Sequence, residues 1–115
     1  MMELAEQIPN DIESNPIILY MKGTADRPLC RFSHVAVEVL NYYGVDYKAV
    51  NVLVDPEIRV RLSEHSNWPT IPQLFVNGEL IGGADIVAEL HSRGELLDVL
   101  SAGVIRQGQL EQAAQ

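Results

Sequence analysis

The chain has 115 residues, 47% hydrophobic and 21% charged, which describes one soluble globular domain, able to bury a core without staples and too small for two independent ones. Eight basic against sixteen acidic residues give a net charge of −8, which repels a phosphate backbone and an anionic lipid surface alike, so neither nucleic acid nor membrane is expected as a partner. No apolar run approaches the roughly 20 residues that cross a bilayer, the acidic N-terminus is unlike a secretory or transit peptide, and one cysteine cannot form an intramolecular disulfide, so a reducing cytoplasm or a processed organellar matrix is expected.

Leu4, Ile8 and Ile12 recur at i, i+4 and i+8, and predict an amphipathic helix over the first fifteen residues that Pro9 breaks or restarts. Residues 17–21 are a continuous apolar run bounded by turn signals, as in a strand buried on both faces in the middle of a sheet. Residues 21–33 then lead from that strand into a helix and carry the cysteine. Phe32, Val35, Ala36, Val39, Leu40 and Tyr43 repeat at helical spacing until Gly44 caps the segment. Residues 47–52 predict a second strand. Asp55-Pro56-Glu57 reads as cap, first-turn proline and early carboxylate of a helix running toward His65.

Strand, helix, strand, helix implies a parallel pair with a right-handed crossover. Asn77-Gly78 between two apolar runs predicts an antiparallel hairpin of strands three and four. Residues 84–94 are expected to be helical, with Ile86, Val87 and Leu90 on one face, and residues 95–100 add a short helix. The domain is expected to span 1–101, with 102–115 a flexible or loosely helical tail. The order of elements is α/β and resembles the thioredoxin-like plan, a four-stranded mixed sheet flanked by helices.

Cys30 stands at the strand-to-helix turn, where unpaired N–H groups and the positive end of the helix favour thiolate over thiol. Lys22 and Arg27 add positive charge nearby. With no second cysteine, redox or metal chemistry at Cys30 must borrow a sulfur from another molecule. A buried, inert cysteine is the plainer reading, and the polar, proline-led helix start opposes it. Ser33 either bonds the sulfur or is an ordinary first-turn serine, and Phe32 is either a wall beside the sulfur or a core residue. His34, His65 and His91 lack metal-ligand spacing, and Trp68 is expected to pack near the site rather than to form it.

The order Lys22, Cys30-Arg31-Phe32-Ser33, Trp68-Pro69-Thr70-Ile71-Pro72-Gln73-Leu74 and Gly82-Gly83-Ala84-Asp85-Ile86 resembles the monothiol glutaredoxins over residues 3–100. Two positions depart from that family's pattern. Arg31 stands in place of a glycine and is expected to favour thiolate while crowding whatever docks on Cys30. Ala84 stands where a cysteine is common.

The resemblance implies a cis Ile71-Pro72 bond facing the thiol, with the Ile71 backbone free to pair with a bound peptide. It implies that glutathione supplies the missing sulfur. Lys22 and Arg59 would meet its glycyl carboxylate, and Gly83, Ala84 and Asp85 its γ-glutamyl end. It further implies a [2Fe-2S] cluster bridging a homodimer, with Cys30 as the protein's metal ligand, a BolA-like partner, and apo iron-sulfur proteins as recipients. The plainer readings are a solvated helix arginine for Arg59 and an N-cap for Asp85. The alternative function is glutathione-dependent thiol-disulfide exchange by Cys30 as a monothiol nucleophile. A redox-inert adaptor is a third.

Overall fold

A computed structural model describes residues 2–113. Helix α1 (Leu4–Ser14) leads into strand β1 (Ile17–Met21), and α2 (Arg31–Tyr43) leads into β2 (Lys48–Asn51). A single 3-10 turn (Val52–Val54) precedes α3 (Pro56–Ser66), the hairpin of β3 (Gln73–Val76) and β4 (Glu79–Gly82), and then α4 (Ala84–Ser92) and α5 (Leu96–Ala113). The strand order is β2-β1-β3-β4, with β1 parallel to β2 and antiparallel to β3, and with β3 antiparallel to β4. This is the mixed, helix-flanked sheet that the order of elements predicts.

The unbroken apolar run of β1 follows from its place in the middle of the sheet. Successive side chains of a strand point to opposite faces, and here both faces are covered. Ile17, Leu19 and Met21 pack with α2, α4 and α5 through Val37, Leu40, Val87 and Leu96. Ile18 and Tyr20 pack with α1 and α3 through Ile8, Ile12, Ile58 and Leu62. Each fully buried side chain of this kind contributes about 1.5–3 kcal/mol. The result is three layers whose strand ends carry the site.

The local signals hold where they are strongest. Asn77 (φ 50°) and Gly78 (φ 82°) turn the hairpin in the left-handed region. Gly44 closes α2 at φ 66°, and the Asp55 carboxylate accepts the Glu57 N–H at 3.0 Å with Pro56 as the first residue of α3.

Two expectations are corrected. Pro9 neither breaks nor restarts α1, which runs through it. A proline there forfeits the bond to the Ala5 carbonyl and crowds that carbonyl with its ring, and Ile8 and Ile12 on either side, 3% and 1% exposed, hold both halves against the sheet. The helix expected to end at Leu100 continues to Ala113. Its buried positions are Leu96, Leu100 and Gly103, at i, i+4 and i+7. The third has no side chain, so the apolar period fades from the sequence at the point where the helix comes closest to the sheet. Beyond it, Arg106 donates to the Glu13 carbonyl and Gln107 to that of Asp46 at 2.7 Å, which ties the middle of α5 to the end of α1 and to the segment before β2.

Gly103 and Gly108 lie on the same helix and are expected to respond oppositely to alanine. A Cβ on Gly103 would lie 2.6 Å from Ile17 Cγ1 and 3.1 Å from Val76 Cγ1, whereas one on Gly108 meets nothing. Gly108→Ala should stabilise by up to about 1 kcal/mol through helix propensity alone. Gly103→Ala should lose that gain to overpacking and destabilise by about 1–3 kcal/mol. Urea unfolding of the two variants measures both, and a stabilised Gly103→Ala would show that α5 does not seat on Ile17.

Candidate functional site

Residues 22–30 form a small closed loop between β1 and α2. Thr24 and Arg27 exchange backbone bonds at 3.1 and 3.2 Å, and the Leu29 N–H donates to the Lys22 carbonyl at 2.9 Å. Gly23 (φ 89°) makes this closure possible, because a Cβ there would fall 2.5 Å from the Arg27 carbonyl oxygen and 2.7 Å from the Leu29 nitrogen. The Gly23 N–H donates to the Asn51 side chain at 2.9 Å, so the end of β2 holds the loop from the other side. Asn51 has no place in the sequence reading. The signal available was an asparagine just before a turn, where its side chain competes for backbone N–H groups.

Cys30 occupies the N-cap position of α2 in extended conformation (φ −144°, ψ 137°) and is partly exposed. Its thiol is drawn below the ordinary value, chiefly by the backbone N–H of Ser33. Burial opposes this, and the Phe32 N–H, the Lys22 charge and the Ser33 hydroxyl assist it. Ser33 does more than fill a first-turn position. It is fully buried, its hydroxyl accepts the Lys22 N–H at 3.0 Å, and that hydroxyl adds the smallest contribution to lowering the thiol.

Arg31 does not act as expected. Its guanidinium lies over the Phe32 ring at 5.8 Å from the centroid, and Lys22 is the cation that acts on the sulfur. Phe32 is 50% exposed and stands as a wall, not as core.

A cleft of roughly 430 Å³ opens beside Cys30. It brings together Lys22 at the end of β1, Phe32, Arg59 from α3, Ile71, and Gly83, Ala84 and Asp85 at the start of α4. Because α3 and α4 belong to opposite layers, the cation Arg59 and the carboxylate Asp85 reach the cleft from the two faces of the sheet. Arg59 is exposed and donates weakly to the Pro69 carbonyl at 3.5 Å.

The cap of α4 is Gly83, and Asp85 sits at the second helical position, so it is not the N-cap. The first helical bond, from the Val87 N–H to the Gly83 carbonyl, leaves the N–H groups of Ala84 to Ile86 outside the helix ladder.

The far wall is the loop before β3. The Ile71-Pro72 bond is cis, and Ile71 precedes the first β1-β3 pair, Tyr20 with Gln73, so its backbone lies outside the ladder. Gln73 is fully buried and donates to the carbonyls of Trp68 (2.8 Å) and Thr70 (3.0 Å), clamping that loop against the sheet. Trp68 lines the cleft instead of only packing behind it, as do Thr70 and Ile86, which the sequence did not single out. Among the described residues no group of three His, Cys, Asp or Glu side chains could hold a metal ion.

The lowered thiol gives an expectation with a definite sign. Between the folded and the unfolded value, the latter about 8.5, the unfolded chain binds more protons, so stability rises with pH there. The stability of the protein relative to Cys30→Ser should therefore grow as pH rises through that window and level off above it. The pH midpoint for alkylation by iodoacetamide should lie below that of a free thiol, and it should move up in Ser33→Ala and in Lys22→Gln but not in Arg31→Gln. A midpoint that follows Arg31 would return the thiolate's stabilisation to that side chain.

The Glutaredoxin family model matches residues 17–81. The chain is 48% identical over 101 residues to Glutaredoxin 4 of Buchnera aphidicola subsp. Baizongia pistaciae, covering 88% of this chain and 94% of that protein. It is 48% identical over 95 residues to the probable monothiol glutaredoxin 2 of Rickettsia conorii, covering 83% and 89%. Among solved structures, the truncated monomeric 1-C-Grx1 of Trypanosoma brucei superposes with a TM-score of 0.78 at 35% identity, over 88% of this chain and 92% of that one. With one thiol at a helix cap and no second cysteine to answer it, the chain belongs to the glutaredoxin family, among its monothiol members.

Proposed function

We propose that the cleft binds glutathione beside Cys30, and that two such protein-glutathione halves share a [2Fe-2S] cluster which the protein carries and hands to apo iron-sulfur proteins. The observation that carries this reading is a single, thiolate-prone sulfur opening onto a cleft that also presents Lys22, Arg59 and Asp85. Glutathione has two carboxylates and one ammonium, and the cleft offers two cations, one carboxylate and a helix N-terminus. Lys22 and Arg59 take the glycyl carboxylate, the Ile71 backbone pairs with the cysteinyl residue, and Gly83, Ala84 and Asp85 take the γ-glutamyl end.

A [2Fe-2S] cluster calls for four thiolates. The donor set fits only in shared form: one chain offers Cys30, one glutathione a second sulfur, and a second copy completes the set. A BolA-like protein is a further partner of this form, and a reducing cytoplasm or organellar matrix is the compartment that suits it. No described helix is long and apolar enough to cross a membrane.

A second reading is supported by the same lowered thiol. The Cys30 thiolate attacks the glutathione sulfur of a protein-glutathione mixed disulfide, and the protein thiolate leaves with the electron pair of the broken S–S bond. A second glutathione thiolate then attacks the glutathionyl sulfur on Cys30, forming oxidised glutathione and freeing Cys30. No second protein cysteine is needed.

Anaerobic reconstitution with iron, sulfide and glutathione should give a coloured dimer that Cys30→Ser abolishes, and a colourless monomer would overturn the carrier reading. Rapid glutathione-dependent reduction of a mixed disulfide without cluster formation would favour the second. In calorimetry, Arg59→Gln and Asp85→Asn should each weaken glutathione by about fivefold, as expected for exposed charge pairs. Unchanged affinity in both would remove glutathione from this cleft.

A further inference from the structure

In a chain of net charge −8, cations left without a carboxylate partner are informative. Arg61 pairs with Glu57 and Glu64, Arg93 pairs with Glu89, and Arg106 donates to the Glu13 carbonyl. Among the described residues six lysine and arginine cations form no ion pair, and four of them, Lys22, Arg27, Arg31 and Arg59, lie in the cleft or on the segment leading to Cys30, while Lys48 on β2 and Arg106 on α5 lie elsewhere. Lys22 and Arg59 line the cleft. Arg27 and Arg31 do not, and neither acts on the Cys30 thiol. Both are exposed, Arg27 on the closed loop and Arg31 over Phe32. None of the carboxylates nearby is in contact with either guanidinium: Asp26 is exposed beside Arg27 without an ion pair, Asp55 caps α3, and Glu38 pairs with His34 at 2.9 Å.

Exposed apolar side chains surround the same sulfur. Leu29 is 61% and Phe32 50% exposed on either side of Cys30. Leu53 and Val54, also exposed, are held beside the loop because the Asn51 side chain accepts both the Gly23 N–H (2.9 Å) and the Leu53 N–H (3.0 Å).

We infer that Arg27, Leu29, Arg31 and Phe32, with Leu53 and Val54, form a docking patch for a protein partner that presents carboxylates and apolar side chains around its own cysteine. Two guanidiniums free of carboxylate contact beside a thiol, on an otherwise acidic molecule, are complementary to such a partner. An anionic membrane would be repelled by the rest of the chain. The patch serves either reaction proposed for Cys30, and its test needs neither glutathione nor a cluster.

Two cysteine peptides, identical except for Asp or Lys flanking the cysteine, are each activated as the mixed disulfide with thionitrobenzoate. The Cys30 thiolate attacks the peptide sulfur, a Cys30-peptide disulfide forms, and thionitrobenzoate leaves with the electron pair of the broken S–S bond. The net charge of the protein alone would favour the Lys peptide. The patch instead predicts that the Asp peptide reacts about three- to tenfold faster at low salt, with the ratio collapsing at about 1 M salt, where the screening length is ~3 Å.

The double variant Arg27→Gln, Arg31→Gln should lose the preference while reacting with neutral dipyridyl disulfide at the wild-type rate. Equal rates for the two peptides, or an Asp preference that survives the double variant, would overturn the proposal. So would binding to phosphatidylserine vesicles without any peptide preference, which would assign the patch to a lipid surface.

Discussion

The hydroxyl of Ser33 holds the site together. It accepts the Lys22 N–H at 3.0 Å from a position with no exposed surface, and it adds the smallest of the contributions that lower the Cys30 thiol. The bond from Lys22 fixes the end of β1 to the first turn of α2, beside the residue that carries the sulfur. Water competes poorly for that bond at this depth, so it is worth more than a surface bond. A cysteine at this position could close a disulfide with Cys30. A serine cannot, so no disulfide forms across this junction.

The other walls are referred to that junction by side chains that reach across sequence. Asn51 holds the loop through the Gly23 N–H, which couples β2 to the segment before Cys30. Gln73 holds the loop of Trp68 to Thr70 by two carbonyls and places Ile71 and Trp68 in the cleft. Both amides sit where a strand ends or begins, and the pleat of the sheet sets their direction. The three-layer packing then brings Arg59 and Asp85 in from opposite faces, so the cleft offers charges of both signs without an ion pair between them.

What was legible in the sequence was local. The buried run of β1, the Asn77-Gly78 turn, the Gly44 cap and the Asp55-Pro56 helix start are each written within a few residues, and each appears as read. What was not legible depends on distant partners. Asn51 and Gln73 look like ordinary polar residues until the backbone groups they serve are brought to them. The length of α5 was hidden because its contact with Ile17 is made by Gly103, whose lack of a side chain removes it from any apolar period. Asp85 read as a cap by residue type alone, yet the extended residue before the helix is Gly83. Arg31 was assigned to the sulfur by adjacency in the chain, although neighbouring residues at a helix start point in different directions.

That last difference bears on reactivity. The thiolate is favoured mainly by N–H groups of the helix's first turn, with Lys22 contributing less. Fixed neutral donors stabilise the anion without occupying a cation that an incoming carboxylate needs, so Lys22 can serve a ligand while the helix N–H groups still favour the thiolate. An arginine paired directly with the sulfur would lower its pKa further, but nucleophilicity falls with pKa, and the guanidinium would stand in the path of attack. With its charge held over Phe32, Arg31 leaves the sulfur open and faces outward. The glycine-to-arginine departure from the family pattern thus leaves the chemistry at Cys30 to the helix and adds its charge to the surface a partner meets first.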